Sequence, residues 1–300
     1  MFNNYTIKEK IRYLDRRWKL LFLFPALYVF YKLFFPLGLQ GISSPRRRSE
    51  YIVRQVTRKE NSPYVIDLSG SVSGRFRFCV LGDSGSDSAS QRMIADRMLG
   101  RSPEFILHTG DLAYYRDRKY EFENNFIKVY KRFRKIRFYP ALGNHDYLHN
   151  FGAVFFSYFS YLPNRYYQLR TGLVDFFALD SNSLLLGRNL DPDQIDWLKS
   201  RLRKSNRRWK VVYLHHPLFS SGQHGDHQPL IDALKKIFEQ AGVNLVLSGH
   251  DHDYERLKVI NGVRYLVTGG GGGTVRKQKR LDNPYSELFL PKYHFLTMTV

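Results

Sequence analysis

Short apolar runs rich in β-branched and aromatic residues recur at 76–81, 105–109, 138–142, 174–179, 210–215, 243–247 and 263–267. Between several of them, at 89–99, 120–133, 192–202 and 229–241, apolar positions return every three or four residues. The first pattern predicts buried strands and the second amphipathic helices. Their alternation predicts a layered α/β sandwich with a mixed sheet. A further β-like run covers 293–300, and one short strand is expected at 64–68. No internal repeat is visible.

The N-terminal region breaks this rhythm. Residues 1–19 are basic and polar, and residues 20–39 form an apolar run interrupted by Lys32, Pro25 and Pro36. A bilayer core of about 30 Å needs about 20 apolar residues as helix, so the run is long enough to span. Pro25 lies early, where a helix tolerates it, and Lys32 can snorkel toward one end. Three readings stay open: a membrane anchor, a cleaved signal ending near Gly41-Ile42-Ser43, or a helix packed on the globular part. The flanking Lys and Arg residues balance before and after the run, so the positive-inside rule gives no orientation. The expected organisation is a basic segment with anchor at 1–40, a linker at 41–73 and a globular domain at 74–300. An extracytoplasmic domain on a membrane tether is the leading expectation for localisation, with a secreted or cytoplasmic protein as the alternatives.

A formal charge of +20 favours anionic partners such as phosphorylated substrates or acidic headgroups. Neither zinc-finger spacing nor an RNP-like aromatic strand is present, so the charge alone does not argue for a nucleic-acid reader. The single cysteine, Cys79, lies inside an apolar run and reads as a small buried hydrophobe.

The chemistry sits where the apolar runs end. One run closes on Gly82-Asp83-Ser84-Gly85, the next on Gly110-Asp111-Leu112-Ala113-Tyr114, and a third on Gly143-Asn144-His145-Asp146. Later runs close on His215-His216-Pro217 and Gly249-His250-Asp251-His252. One Gly-Asp at a strand end is an ordinary turn. Five successive ends carrying oxygen or imidazole donors are not, because catalytic groups of α/β sheets collect where strands give way to loops. Carboxylate and imidazole donors suit Fe, Mn and Zn, and a pair of such ions needs one carboxylate shared between them.

These motifs, in this order, resemble the calcineurin-like metallophosphoesterase superfamily over roughly residues 76–256. The resemblance implies an α/β/β/α sandwich of mixed sheets flanked by helices. Where the superfamily places the histidine of Asp-x-His, this chain has Gly85, and Asp111-x-x-Tyr114 matches the motif of purple acid phosphatases, whose tyrosinate fills that vacancy. His-x-Pro at 215–217 and Tyr254-Glu255-Arg256 are similar to the same branch. The resemblance implies one ion, Fe(III), on Asp83, Tyr114 and His252. It implies a second, divalent Fe, Zn or Mn, on Asn144, His215 and His250, with Asp111 bridging the two. His145 and His224 become the catalytic histidines that contact the phosphate or protonate the leaving group, with His227 competing for the place of His224.

Several neighbouring residues are read as structural. Asp146 turns its loop or orients His145, His216 faces away from the ligands, and Asp251 points outward or caps. His108 and Asp180 close their strands, and the glycines at 269–273 form a tight turn near the cleft. The expected activity is hydrolysis of phosphate monoesters, on a phosphorylated small molecule or a phosphoprotein, by metal-bound hydroxide in line with the leaving group. Phosphodiester or cyclic-nucleotide hydrolysis and a non-catalytic membrane-tethered scaffold are the alternatives.

Overall fold

The computed structural model describes residues 64–114, 119–148, 152–185, 193–276 and 282–300. The run at 20–39, with its anchor, signal and packed-helix readings, lies outside the described residues. Among the described residues no helix is long and apolar enough to cross a membrane.

Two mixed sheets form the centre. The smaller has the order β12-β2-β3-β4, where β2 is Arg77–Leu81, β3 Phe105–His108, β4 Arg137–Pro140 and β12 Leu296–Thr299. In it β2, β3 and β4 run parallel, and β12 closes one edge antiparallel to β2. The larger sheet has the order β1-β5-β6-β7-β8-β10-β9-β11. Its parallel core is β6 (Val174–Ala178), β7 (Trp209–Tyr213), β8 (Leu245–Ser248) and β10 (Val263–Thr268). β5 (Tyr167–Arg170) and β9 (Tyr254–Ile260) pair antiparallel to β6 and β10, with β1 (Val65–Asp67) and β11 (Ser286–Leu290) outside them.

Near-continuous burial along β2, β3 and β6 follows from their apolar composition, because both faces of these strands are covered. Phe78 and Phe105 stack at 5.4 Å, and Phe176 of the other sheet meets both edge-on at 5.1 and 5.6 Å. On the outer face of the small sheet, Ile94 and Met98 of α1 (Ala89–Leu99) join the same core. A second core lies beyond the large sheet, where Leu198 and Leu202 of α7 (Asp193–Lys204) and Leu230, Leu234 and Phe238 of α8 (Gln228–Ala241) cover it. The shorter helices are α2 (Lys119–Phe122), α3 (Lys128–Tyr130), α4 (Asn144–Leu148), α5 (Ala153–Tyr158) and α6 (Ser181–Leu185). The layering is α/β/β/α, as the resemblance implied.

Several elements depart from the pattern read in the sequence. The helix expected at 120–133 is broken. α2 passes into a π-helical turn at Glu123–Ile127, then α3, then a 3-10 turn at Lys131–Phe133. The Asn125 carbonyl accepts Gln91 Nε2 at 2.6 Å, which gives the widened turn a partner outside the segment. The short strand expected at 64–68 is present as β1, but its pairing with β5 from Val65↔Gln168 to Asp67↔Arg170 makes that end of the expected linker part of the larger sheet. β9 is masked in the sequence because an inward position is filled by Glu255, made soluble there by Ser221 N–H and Oγ–H. β11 is not legible in the sequence because it pairs at the sheet edge, where no apolar alternation is required, and β5 is not because the polar Gln168 is buried in its middle.

Cys79 is fully buried, and burial raises its thiol to about 11. At pH 8 the native protein should resist iodoacetamide and label at Cys79 only after denaturant is added, as mass spectrometry would read. Phe176→Ala should cost about 3–5 kcal/mol in urea unfolding, because it removes the ring on which two others pack.

Candidate metal centre

All the donors stand at the same edge, beyond the C-terminal ends of the parallel strands. β2 delivers Asp83, β3 Asp111, β4 Asn144 and His145, β7 His215, and β8 His250 and His252. The turns that do this are tight. Asp83, Asp111 and His250 all have left-handed backbones, with φ of 58°, 59° and 70°. Such conformations in non-glycine residues cost on the order of 1–3 kcal/mol each and persist only where the surroundings impose them. Gly143 is required by close approach: a Cβ there would lie 2.1 Å from Asp111 Oδ1.

Buried carboxylates impose that geometry by accepting the amides of neighbouring loops. Asp146 Oδ2 accepts the N–H of Asp111 at 2.8 Å and of Gly143 at 3.0 Å, while its Oδ1 accepts Leu112 N–H at 2.9 Å. This role in turning loops was expected, but it reaches across two motifs rather than one. Asp111 Oδ1 in turn accepts His145 N–H at 2.9 Å, and Asp83 Oδ2 accepts His250 N–H at 2.9 Å.

The seven residues assigned to metal binding come together as two sets of donors. In the first, Tyr114 OH lies 3.0 Å from His252 Nε2 and 3.3 Å from Asp83 Oδ1. In the second, His215 Nε2 lies 2.9 Å from Asn144 Oδ1, 3.2 Å from His250 Nδ1 and 3.5 Å from Asp111 Oδ2. Asp83, Asp111 and His215 also have ligand atoms within 4.8 Å of one another. The imidazoles are oriented from behind: His215 Nδ1 faces Thr109 O at 2.9 Å and His252 Nδ1 faces Thr274 O at 2.9 Å. A carbonyl only accepts, so Nδ1 carries the proton in each ring and Nε2 presents a lone pair to the site.

This arrangement has more acceptors than protons. The proton His215 gives to Thr109 O leaves its Nε2 lone pair facing Asn144 Oδ1 and an Asp111 oxygen. Burial, then the charge of Asp111, pushes the Asp83 carboxyl well above the usual carboxylate range. Burial, then Asp83 and Asp111, likewise raises the Tyr114 phenol. Burial foremost keeps His215, His250 and His252 below their ordinary range, His252 at about 4. Converging lone pairs on neutral imidazoles beside crowded carboxylates are the donor set a hard or borderline cation satisfies, so the residues fit a metal pair.

The other candidate residues divide. His145 is partly exposed, with Nε2 4.0 Å from Asp111 Oδ2 and its ring edge-on to Tyr114 at 4.9 Å. His224 is exposed and its ring lies 3.9 Å from that of His250, whereas the ring of His227 lies 5.5 Å away. His216 is held by Ser181 Oγ at 2.8 Å, although its ring nitrogens lie near those of His215 and His250. His108 meets Ser84 Oγ at 2.9 Å, and Asp180 forms a buried pair with Arg165 at 2.9 Å. Of its two expected roles, outward or capping, Asp251 takes the second. It is fully buried because it accepts Ser220 Oγ at 2.6 Å and His224 N–H at 3.0 Å, which folds the 220–224 loop under the site. Asn125 was not singled out in the sequence, yet its Nδ2 holds Gly85 O at 3.2 Å and Tyr114 O at 3.3 Å.

In metal-free protein the raised Asp83 carboxyl contributes stability present below the ordinary aspartate value and lost as pH rises through the folded value. At neutral pH Asp83→Asn should therefore raise the thermal midpoint of the metal-free protein by a few degrees. The same variant should lose the rise in midpoint that zinc or manganese gives the native chain, as a thermal-shift titration would show.

In sequence and fold the chain is similar to known proteins. The chain is 29% identical over 255 residues to tartrate-resistant acid phosphatase type 5 of Mus musculus, covering 70% of this chain and 77% of that one. Its fold is similar to purple acid phosphatase PPD1 from yellow lupin, with a TM-score of 0.64 at 18% identity over 80% of this chain and 51% of that longer one. It is also similar to a Plasmodium protein described as "GAP50 the anchor in the inner membrane complex", with a TM-score of 0.63 at 22% identity over 75% of this chain and 81% of that one. The family model for calcineurin-like phosphoesterases matches residues 76–254, more than half of the chain. That span encloses every donor from Asp83 to His252, and the chain belongs to the calcineurin-like phosphoesterase family.

Proposed function

We propose that the domain is a phosphate monoesterase of the purple acid phosphatase type, acting on a phosphorylated small molecule or phosphoprotein. One ion would be held by Asp83, Tyr114 and His252 and another by Asn144, His215 and His250, with Asp111 contributing a carboxylate oxygen to the centre. The observation that carries this reading is the fit between Gly85 and Tyr114. A Cβ on Gly85 would lie 2.3 Å from Ala113 Cα and from Leu112 O, so the backbone has no room for a histidine there. The loop that occupies this space is tied by Tyr114 N–H to Gly85 O at 2.8 Å and carries the phenol to Asp83 and His252.

A bound pair would supply Lewis-acid charge for phosphoryl oxygens and lower the pKa of water toward neutrality. The chain's own contribution is placement. His145 is fixed through its backbone N–H to Asp111, which leaves its ring at the mouth to hydrogen-bond a phosphoryl oxygen or give a proton to the leaving group. The proposed pair is Fe(III) with a divalent Fe, Zn or Mn, since a phenolate favours the ferric ion. In the same reading the run at 20–39 tethers the chain to a membrane, with the catalytic domain on the extracytoplasmic side.

The enzyme should turn over p-nitrophenyl phosphate faster than bis-p-nitrophenyl phosphate, and preference for the diester would refute the monoesterase assignment. Asp111→Asn should lower kcat by more than about 100-fold, since loss of a partner behind a ligand alone costs up to that much. The loaded protein should show a broad visible charge-transfer band that disappears in Tyr114→Phe. A colourless protein fully active on zinc alone would exclude the ferric assignment.

A further inference from the structure

The glycine turn at 269–273 has a place in the site that its sequence alone did not reveal. Gly271 N–H donates to Gly82 O at 2.9 Å and Gly273 N–H to Asp83 O at 2.7 Å, so the turn lies directly on the Asp83 loop. Side chains are excluded: a Cβ on Gly269 would lie 2.8 Å from Asp83 Oδ2, and one on Gly273 2.8 Å from His252 Cε1. The chain then runs past His252, whose Nδ1–H donates to Thr274 O and whose own carbonyl accepts Arg276 N–H at 3.3 Å.

This path ends with Arg276 over the mouth of the site. Its Nη1 lies 2.6 Å from His224 Nε2 and 3.8 Å from Asp251 Oδ1. A guanidinium only donates, so His224 Nε2 is the acceptor in this contact and carries no proton. The positive charge beside His224 therefore belongs to Arg276. Asp251, which accepts the His224 backbone N–H, anchors both residues from below. Both Arg276 contacts use Nη1, and the side chain is 29% exposed.

We propose that Arg276 binds the phosphoryl oxygens of the substrate, with neutral His224 holding the guanidinium over the mouth. This rests on the phosphatase reading and assigns the anion-binding charge at the 224 position to a residue of the glycine turn. A planar fork of donors suits a phosphate dianion better than one imidazole does. The basic group at 276–280 looks like a solvated surface in the sequence, which is why Arg276 was not singled out there.

The test compares Arg276→Gln, Arg276→Lys and Arg256→Gln in the full, metal-loaded chain. Arg256 is the charge control, since it pairs with Glu287 at 3.1 Å on β9. In Arg276→Gln, KM for p-nitrophenyl phosphate and Ki for inorganic phosphate should rise together by about tenfold or more, with kcat falling less than KM rises. Arg276→Lys should recover only part of this, because an ammonium keeps the charge without the fork. A Ki within twofold of the native value in Arg276→Gln, or an equal rise in Arg256→Gln, overturns the proposal. So does a fall in kcat at unchanged Ki, which would mean that Arg276 serves only to position His224. The rise in thermal midpoint on adding inorganic phosphate gives a readout without turnover. If that rise depends on Arg276 while no phosphomonoester is hydrolysed, the anion site stands and the phosphatase reading fails.

Discussion

Two carboxylates and a phenol occupy one spot from which water is excluded, and the rest of the domain is arranged around holding them there. Asp83 and Asp111 are at most 2% exposed, and each raises the cost of ionising its neighbours. Left alone, such groups would swing apart or take up protons. The fold prevents the first by giving one oxygen of each carboxylate a backbone amide from a different loop. Asp146 ties the loops after β3 and β4 together, and Asp83 ties the loop after β2 to that after β8. Left-handed backbones at Asp83, Asp111 and His250 are the strained side of the same arrangement. The two packed sheets supply the rigidity that lets the strain persist.

Support also arrives from outside the strand ends. The π-helical turn at Glu123–Ile127 is a departure from regular helix, and its central residue serves both sides of that departure. The Asn125 carbonyl is met by Gln91 of α1, and its side-chain amide holds the loops bearing Gly85 and Tyr114. The helical layer therefore does more than cover apolar surface. It reaches through Asn125 to the loop that carries the phenol.

The sequence was most informative where one physical demand acts on one local stretch. The buried parallel strands needed continuous apolar runs, and their ends needed Gly beside Asp, Asn or His. What stayed hidden depends on partners distant in the chain. Asp251, between two ligands, reads as outward or capping, and only Ser220 and the His224 amide decide for burial. Glu255 interrupts the alternation of β9 because Ser221 satisfies it inside. Arg276 reads as one member of a basic group until the glycine turn is seen lying against Asp83.

The interlock of Gly85 with the 111–114 loop bears on how such a site changes over evolutionary time. A histidine at position 85 has no space unless the loop withdraws, and withdrawal carries Tyr114 away from Asp83 and His252. Neither step is useful without the other, and each alone disturbs a buried, tightly bonded region. Exchanging Tyr114 for a histidine at position 85 therefore requires coordinated change in both loops rather than a single substitution. Steric exclusion alone keeps Gly85 and Tyr114 together, independently of what the site binds.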